Sequence, residues 1–388
     1  MTQRKDRKLF LDILANSVSG KIVSGLPEDA DVRALYNLSY AHKVICAIWY
    51  ALKDIKPSSP MQKTLLSRLQ ACFESAKKQI VLQDYYTDMV CSFCRDKGIR
   101  FALLKGAVLK HLYPEPIMRS SCDIDILVDR NRIDEIITEF CGLGFDYHED
   151  EDSDEAKHAK LTKESVVIEL HRSLCFDGAF GGHYDELFSV FESTDGIEYT
   201  LCPEELYTYT LVHASNHFIK GVNTLRTLCD LYLIQKEYLD MDRQKLDILL
   251  KATGIADFEK AMTKLVKAVF EGTENDEELE IVLDYVLTNP LRADSQLAEL
   301  QKEKVRGKTN FSRKLMLLFR RVLPSYEFIC RRYPGAKRSK LLYPYYVAKR
   351  IFDAGKQGNI KQQLDAMGRV SDSEMDALAY VWKFSGLN

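Results

Sequence analysis

Two aspartates lie one residue apart in an apolar stretch of the chain, SSCDIDILVDR at residues 120–130. Asp123 and Asp125 alternate with isoleucines, a pattern typical of a β-strand, whose successive side chains point to opposite faces. The two carboxylates therefore share one face, with Cβ atoms about 7 Å apart at a rise of about 3.3 Å per residue. Like charges at this spacing repel each other, and a divalent cation relieves the repulsion. A merely solvated pair of this kind is also common, so the pair alone does not establish a metal site.

A third carboxylate follows in the segment SVVIELH at residues 165–171. The alternation predicts a strand whose apolar residues face the core and whose Glu169 and His171 face the other side. If this strand lies beside the first one, Glu169 joins the two aspartates. Three carboxylates over a sheet surface suit two Mg²⁺ ions, or Mn²⁺, in phosphoryl or nucleotidyl transfer.

Positive charge and a predicted tight turn precede the aspartates, in LLKGAVLKHLYPEPIMRSS at residues 103–121. A strand that ends at Lys105 and a helix that opens at Gly106 predict backbone N–H groups free to meet phosphate. Lys105 and Arg119 bracket the carboxylates with positive charge. These features favour a site that binds both metal and phosphate.

The elements that must hold these residues form a small α/β module between helical segments. Periodicity predicts strands at residues 99–104, 122–128 and 165–171 and a helix at 106–112. A further amphipathic helix is predicted after the second strand, with Asp129 or Asn131 as its N-cap, an apolar face at Ile133, Ile136, Ile137 and Phe140, and an end at Gly142 and Gly144. The acid-rich run DYHEDEDSDE, residues 146–155, is predicted to be a solvated hairpin tip.

Helical patterns flank this module on both sides. Ser59-Pro60 has the residue types of an N-cap and a first helical position, and the pattern that follows runs to Gly98. From Pro203 onward the chain is predicted to be helical. The predicted fold class is therefore α+β, with an N-terminal helical domain (1–95), an α/β module (96–200) and a C-terminal helical domain (201–388).

The bulk composition predicts a soluble globular protein in a reducing compartment, the cytoplasm. Of 388 residues, 46% are apolar and 29% charged, and the longest apolar run, Val44–Leu52, has nine residues, far short of a membrane span. The first residues lack the apolar core of a secretory signal. Ten cysteines are scattered without the spacing of a disulfide framework, which favours free thiols.

Charge is unevenly distributed along the chain. Residues 301–350 hold fifteen Lys and Arg against Glu303 and Glu327, a local balance of +13 in a chain whose net charge is −3. This basic segment also carries many tyrosines and phenylalanines. It is predicted to face an anionic partner, such as phosphate, RNA or an acidic lipid surface, or to pack on the acidic remainder of its own chain.

The residues LLKG…YP…R…DIDILV…VIELH resemble the uncharacterised nucleotidyltransferase family of the DNA polymerase β-like nucleotidyltransferase superfamily. The resemblance implies that Asp123 and Asp125 bind both metal ions and that Glu169 holds the ion that activates the acceptor. It also implies that the loop at Lys105, Gly106 and Ala107 contacts the β and γ phosphates. The superfamily has Gly-Ser where this chain has Gly106-Ala107, so a hydroxyl donor to phosphate is missing.

The resemblance also implies a wider nucleotide-binding set. The helix that holds His213 and His217 would form a wall of the nucleotide cleft, although structural packing is the alternative for this pair. The residues expected to contact the nucleotide are Lys105, Gly106, Ala107, Arg119, Ser120, Ser121, His171, His217, Arg226 and Asp230.

Cys91 and Cys94 lack a second pair of zinc ligands, so they are interpreted as core cysteines.

The function expected from these observations is metal-dependent nucleotidyl transfer. A nucleoside monophosphate, with AMP favoured, would move from an NTP to a hydroxyl or phosphate acceptor, and pyrophosphate would leave. The acceptor could be a small molecule, a protein or an RNA end, and no residue distinguishes ATP from the other triphosphates. The alternative is a catalytically silent nucleotide- or RNA-binding regulatory protein with the same fold.

Overall fold

A computed structural model of the protein describes residues 4–121, 123–149, 158–174, 179–193, 195–219, 224–273, 277–288, 340–347, 349 and 380–387. The chain divides into two compact units: a larger one of residues 1–218, 222–292 and 385–387, and a second that comprises 219–221, 293–384 and 388. The predicted basic segment, 301–350, lies outside the described residues except for 340–347 and 349. The elements below belong to the larger unit.

Four helices open the chain: α1 (Arg4–Val18), α2 (Val32–Ala41), α3 (Ile45–Leu52) and α4 (Pro60–Lys97). The predicted start of α4 is confirmed, because the Ser59 side chain accepts a hydrogen bond from the N–H of Gln62 and Pro60 occupies the first turn. Its predicted end is confirmed too, since Gly98 adopts a left-handed conformation (φ 64°) that glycine adopts without steric cost. The whole pattern forms one helix of 38 residues.

A mixed five-stranded sheet follows, with strands β1 (Phe101–Leu103), β2 (Asp123–Val128), β3 (Asp146–Glu149), β4 (His158–Lys163) and β5 (Val166–His171). Their order is β1-β2-β5-β4-β3, in which only β2 and β5 run parallel. The predicted strand at 165–171 therefore does lie beside the predicted strand at 122–128. The acid-rich segment 146–155 was predicted only as a hairpin tip; its first four residues form β3, which pairs antiparallel with β4, and residues 150–155 lie outside the described residues.

A short helix, α5 (Gly106–Leu109), follows β1 in the chain, and helix α6 (Ile133–Gly142) follows β2. One face of the sheet packs on helices α4 and α6. Residues from both helices and from four strands form this core, including Val90, Ile124, Ile126, Phe140, Leu161, Ile168 and Leu170. Cys91 and Cys94 belong to the same core, where burial raises the pKa of each thiol to about 12. Their interpretation as core cysteines is confirmed, and the opposite face of β2 and β5 carries the polar residues.

The chain continues into a short hairpin and five helices. The hairpin pairs β6 (Glu192–Ser193) with β7 (Tyr199–Thr200), and the N–H of Phe101 in β1 donates to the carbonyl of Ile197 between them. The helices are α7 (Pro203–Ile219), α8 (Leu225–Glu237), α9 (Arg243–Ala252), α10 (Ala256–Phe270) and α11 (Glu277–Thr288). The predicted α+β class is confirmed. No helix in the described part of the chain combines the length and apolarity needed to cross a bilayer.

His42 is a buried histidine that joins three of these helices. At the C-terminal end of α2, its Nε2–H donates to the carbonyl of Leu287 in α11 (3.2 Å), and its Nδ1 accepts from the N–H of Leu225 in α8 (3.3 Å). This pattern requires the neutral ring. Burial lowers the pKa of His42 to about 4, and the hydrogen bond to Leu287 only partly opposes the effect.

The free energy of unfolding is therefore expected to fall as the pH drops from 6.5 to 4. In this window the unfolded chain, with a histidine pKa of about 6.5, binds a proton that folded His42 does not, a loss of up to about 3 kcal/mol. Urea unfolding at steps of pH should show a flatter profile for His42→Gln than for the wild type. His148→Gln, at an exposed position on β3, should keep the wild-type slope. Equal slopes for all three proteins would contradict the prediction.

Candidate metal and nucleotide site

The polar face of the sheet brings three potential metal ligands together. Asp125 on β2 lies directly opposite Glu169 on β5 in the parallel register. His171 follows on the same face of β5, and one ligand atom from each of the three residues lies within 4.8 Å of the others. Asp125 is 3% exposed, so this face is more covered than a solvent-facing sheet surface.

Asp125 is held by two positively polarised groups. The Lys105 ammonium and the His171 Nε2–H both donate to its Oδ1, each at 2.8 Å. Burial by itself raises the pKa of the Asp125 carboxyl, but the hydrogen bond from His171 and the charge of Lys105 outweigh burial and hold that pKa well below its usual value. Asp125 is therefore ionised at neutral pH.

Glu169 has a cationic neighbour as well. The Lys160 ammonium on β4 lies 3.2 Å from its Oε1, and Nε2 of His158 and of His171 lie 3.9 and 4.0 Å from its Oε2. Lys160 and Glu169 are register partners on adjacent antiparallel strands. The sequence interpretation did not include Lys160 or His158, because β4 was not predicted as a strand.

Asp123 stands at the exposed start of β2 and is not one of the three clustered ligands. By alternation it lies on the same face as Asp125, one pleat further along the strand. Two carboxylates and an imidazole that converge within 4.8 Å are donors suited to a divalent cation, and Asp123 can add a third carboxylate at the edge. The donor groups of these residues are therefore suitable ligands for the divalent metal ion that the sequence predicted.

Backbone N–H groups at the start of helix α5 (Gly106–Leu109) already form hydrogen bonds within the turn. The N–H of Ala107 bonds to the carbonyl of Leu104, and the N–H groups of Val108 and Leu109 both bond to the carbonyl of Lys105. Of the loop residues Lys105, Gly106 and Ala107 that were predicted to contact phosphate, Ala107 has its N–H engaged within the turn, because α5 is a single tight turn of four residues. Positive charge near the carboxylates comes instead from the Lys105 side chain.

Arg119 is fixed by a buried ion pair rather than left open to solvent. Its Nε and Nη2 donate to the two oxygens of Asp230 on α8 at 2.7 and 2.8 Å, and the Tyr113 hydroxyl donates to the same carboxylate at 2.8 Å. Burial opposes the charge of Arg119, but Asp230 raises the pKa of the guanidinium well above its usual value. Both Asp230 oxygens already accept hydrogen bonds, so this residue orients Arg119.

Two side chains anchor the segment between Arg119 and β2 through its backbone. Arg226 on α8 donates from Nη1 to the carbonyl of Ser120 at 3.1 Å. Gln83 on α4 donates to the carbonyl of Ser121 at 3.0 Å. Ser120 and Ser121 are thus held through their carbonyl groups, and the structure gives Arg226 a backbone contact that the sequence did not predict.

His213 and His217 lie one turn apart on α7, with their Nε2 atoms 3.1 Å apart. Burial, aided by the positive charge of Lys105, holds the pKa of His213 well below its usual value. The charge of Asp125 acts in the opposite direction and raises the pKa of His213, but its effect is smaller than that of burial. The sequence analysis considered His213 only together with His217, and the structure packs the two imidazole rings against each other, with centroids 4.4 Å apart.

Gly106 lies against the guanidinium of Arg119, which explains why this position has no side chain. A Cβ added to Gly106 would meet Arg119 Nη1 at 2.8 Å, and the pair with Asp230 prevents that group from moving away. Gly106→Ala is expected to destabilise the protein by about 1–3 kcal/mol in urea unfolding. Gly142→Ala at the end of α6 meets no atom within 4 Å and should be neutral or stabilising. Equal stability of the two variants would contradict this account.

The sheet, its flanking helices and the acidic cluster together define an α+β protein with a potential metal-binding face. A sequence model of a family described as uncharacterised nucleotidyltransferase matches residues 28–271, more than half of the 388 residues. The chain belongs to this family, and the match spans the five-stranded sheet and helices α2 to α10. Neither the search of curated proteins nor the search of solved structures found a match.

Proposed function

We propose that this protein transfers a nucleoside monophosphate from an NTP to a hydroxyl or phosphate acceptor at the carboxylate face of β2 and β5. The observation that carries the proposal is the register of Asp125 opposite Glu169, with His171 beside them. Membership of a nucleotidyltransferase family supports the reaction class. AMP from ATP is the case we propose first, and a small molecule, a protein or an RNA end is the acceptor.

Asp123, Asp125 and Glu169 would hold the divalent ions, two Mg²⁺ or Mn²⁺. Bound there, such ions neutralise the triphosphate and lower the pKa of the attacking hydroxyl. His171 orients Asp125 through the hydrogen bond from Nε2. The hydrogen bonds and ion pairs of Asp125 and Glu169 support these roles.

A second group of residues would bind or position the phosphates. Lys105 supplies an ammonium beside Asp125, and the Nη1 group of Arg119 faces Gly106 while its Nε and Nη2 bind Asp230. Around them we propose a nucleotide-contacting set of Gly106, Ala107, Ser120, Ser121, His171, His217 and Arg226. Asp230 acts through Arg119 and is a positioning residue.

We also propose a division of labour along the chain. Residues 96–200 would carry the chemistry, 1–95 would brace the sheet, and 201–388 would contribute the wall near His213 and the basic segment that meets an anionic partner. The described cysteines are free thiols, which supports a reducing compartment such as the cytoplasm.

A catalytically silent nucleotide- or RNA-binding protein is the second candidate. Asp125 and Glu169 are paired with Lys105 and Lys160, so cationic side chains already neutralise part of the cluster. Ala107 also lacks the hydroxyl found in the superfamily. A silent protein would bind nucleotide without releasing pyrophosphate.

The position of the label in the NTP distinguishes nucleotidyl transfer from silent nucleotide binding. Purified protein is incubated with each NTP labelled at the α or the γ phosphate, with Mg²⁺ or Mn²⁺ and a cell extract as the pool of acceptors. Transfer of the α label with release of labelled pyrophosphate from the γ-labelled NTP supports the proposal. Release of γ-labelled orthophosphate alone indicates a phosphohydrolase and contradicts it. Metal-dependent nucleotide binding without any transfer supports the second candidate.

A further inference from the structure

Lys105 pairs its ammonium with Asp125, a carboxylate of the proposed metal site. Its Nζ lies 2.8 Å from Asp125 Oδ1, within a pair whose side chains are 20% and 4% exposed. A buried carboxylate without a counter-charge is costly, so the ammonium stabilises Asp125 in this state. The same ammonium repels any divalent cation that approaches this oxygen.

The backbone of Lys105 indicates that the lysine is held at this point by the surrounding structure. Its φ is 43° and its ψ is −111°, a conformation that L-residues other than glycine rarely adopt. Strained residues of this kind persist where the rest of the structure fixes them, and they concentrate at functional sites. The chain carries a lysine here although glycine would adopt the backbone more easily.

A lysine side chain can leave Asp125 without moving the backbone, because four rotatable bonds separate its ammonium from Cα. His171 Nε2 donates to the same oxygen and would remain after that departure. The triphosphate of an NTP is an anion that can receive the ammonium. The lysine thereby has two alternative anionic partners, the carboxylate and the phosphates.

We propose that Lys105 is an exchangeable counter-ion, which occupies Asp125 until nucleotide and metal arrive and then transfers to the triphosphate. This inference rests on the proposed function of the carboxylate face. Metal alone must compete with the ammonium and therefore binds weakly. Nucleotide removes the competitor, so nucleotide and metal each strengthen the binding of the other, as thermodynamic linkage requires.

Two binding measurements without catalysis test the exchange. The first is titration of nucleotide-free protein with Mn²⁺ alone, with the free ion followed by electron paramagnetic resonance. Lys105→Met is expected to bind Mn²⁺ about tenfold more tightly than the wild type, and Lys105→Arg should stay close to the wild type because it keeps the charge. Lys163→Met is the matched control, since the Lys163 ammonium donates to the Leu143 carbonyl instead.

The second measurement uses inorganic tripolyphosphate in the absence of metal. Lys105→Met should bind it about tenfold more weakly than the wild type, while Lys163→Met should be unchanged. Lys105→Gly removes the ammonium and relieves the positive φ, so it provides the same test if Lys105→Met fails to fold.

The outcomes separate the exchange from the proposed function. Unchanged Mn²⁺ affinity in Lys105→Met and Lys105→Gly overturns the exchange, even where the wild type transfers the α label. Unchanged tripolyphosphate affinity overturns the transfer of the ammonium to phosphate. If no protein binds Mn²⁺ and the wild type transfers no label, the metal site fails and both proposals are overturned.

Discussion

Asp125→Asn is expected to lower the rate of nucleotidyl transfer about a thousandfold, which corresponds to about 4 kcal/mol of transition-state stabilisation. The substitution keeps the shape of the side chain but removes the charge that Lys105 and His171 contact and that lies opposite Glu169 in the register. An amide cannot replace a carboxylate as a ligand that neutralises a divalent cation. Initial rates with α-labelled NTP at saturating metal measure the effect.

Two measurements keep this expectation separate from a loss of folding. Asp134→Asn replaces an exposed aspartate on α6 and should leave the rate unchanged. Far-ultraviolet circular dichroism should show the same helical content for Asp125→Asn and for the wild type. A folded Asp125→Asn protein with wild-type activity would remove Asp125 from the catalytic face.

The carboxylate face of β2 and β5 is the part of the structure that the sequence predicted best. Alternation of apolar and polar residues predicted the strands that became β2 and β5, and the two strands pair in the parallel register that sets Asp125 opposite Glu169. The signal is strong because one side of each strand packs into a core and requires an apolar residue at every second position. Capping chemistry was equally informative at Ser59 and Gly98, where the local backbone dictates the residue type.

The cationic neighbours of the carboxylates were less accessible from sequence. In β4, HAKLTK, only Ala159 and Leu161 are buried, and the strand follows an acid-rich run that dominates the local composition. Two apolar positions are too few to separate a strand from a loop by periodicity. Lys160 was missed for this reason, although its place opposite Glu169 follows directly from the β4–β5 register.

Contacts between residues distant in the chain were also not predicted from the sequence. Arg119 and Asp230 are 111 residues apart, and neither sequence context indicates that their side chains meet. Both were predicted to contact the nucleotide, and that prediction assumed that their polar groups are accessible. The structure instead buries them as partners, so the first consequence of changing either one concerns stability.

Asp230→Ala is expected to lower the free energy of unfolding by about 3–5 kcal/mol. The Arg119 and Asp230 side chains are each 7% exposed, and removal of the carboxylate leaves the guanidinium without its counter-charge. The Tyr113 hydroxyl loses its acceptor as well, in a position from which water is largely excluded. Urea unfolding at pH 7 measures the loss, and Asp240→Ala, at an exposed position after α8, should change stability little.

Replacement of the whole buried network distinguishes its structural role from a role in binding. A triple variant, Tyr113→Phe, Arg119→Met and Asp230→Leu, removes both charges and the hydroxyl together, and most of the stability lost in Asp230→Ala should return. If Arg119 Nη1 also binds phosphate beside Gly106, the restored protein should still bind NTP more weakly than the wild type. Recovery of stability together with wild-type NTP affinity would make the network purely structural. A triple variant no more stable than Asp230→Ala would show that the loss came from something other than an unpaired buried charge.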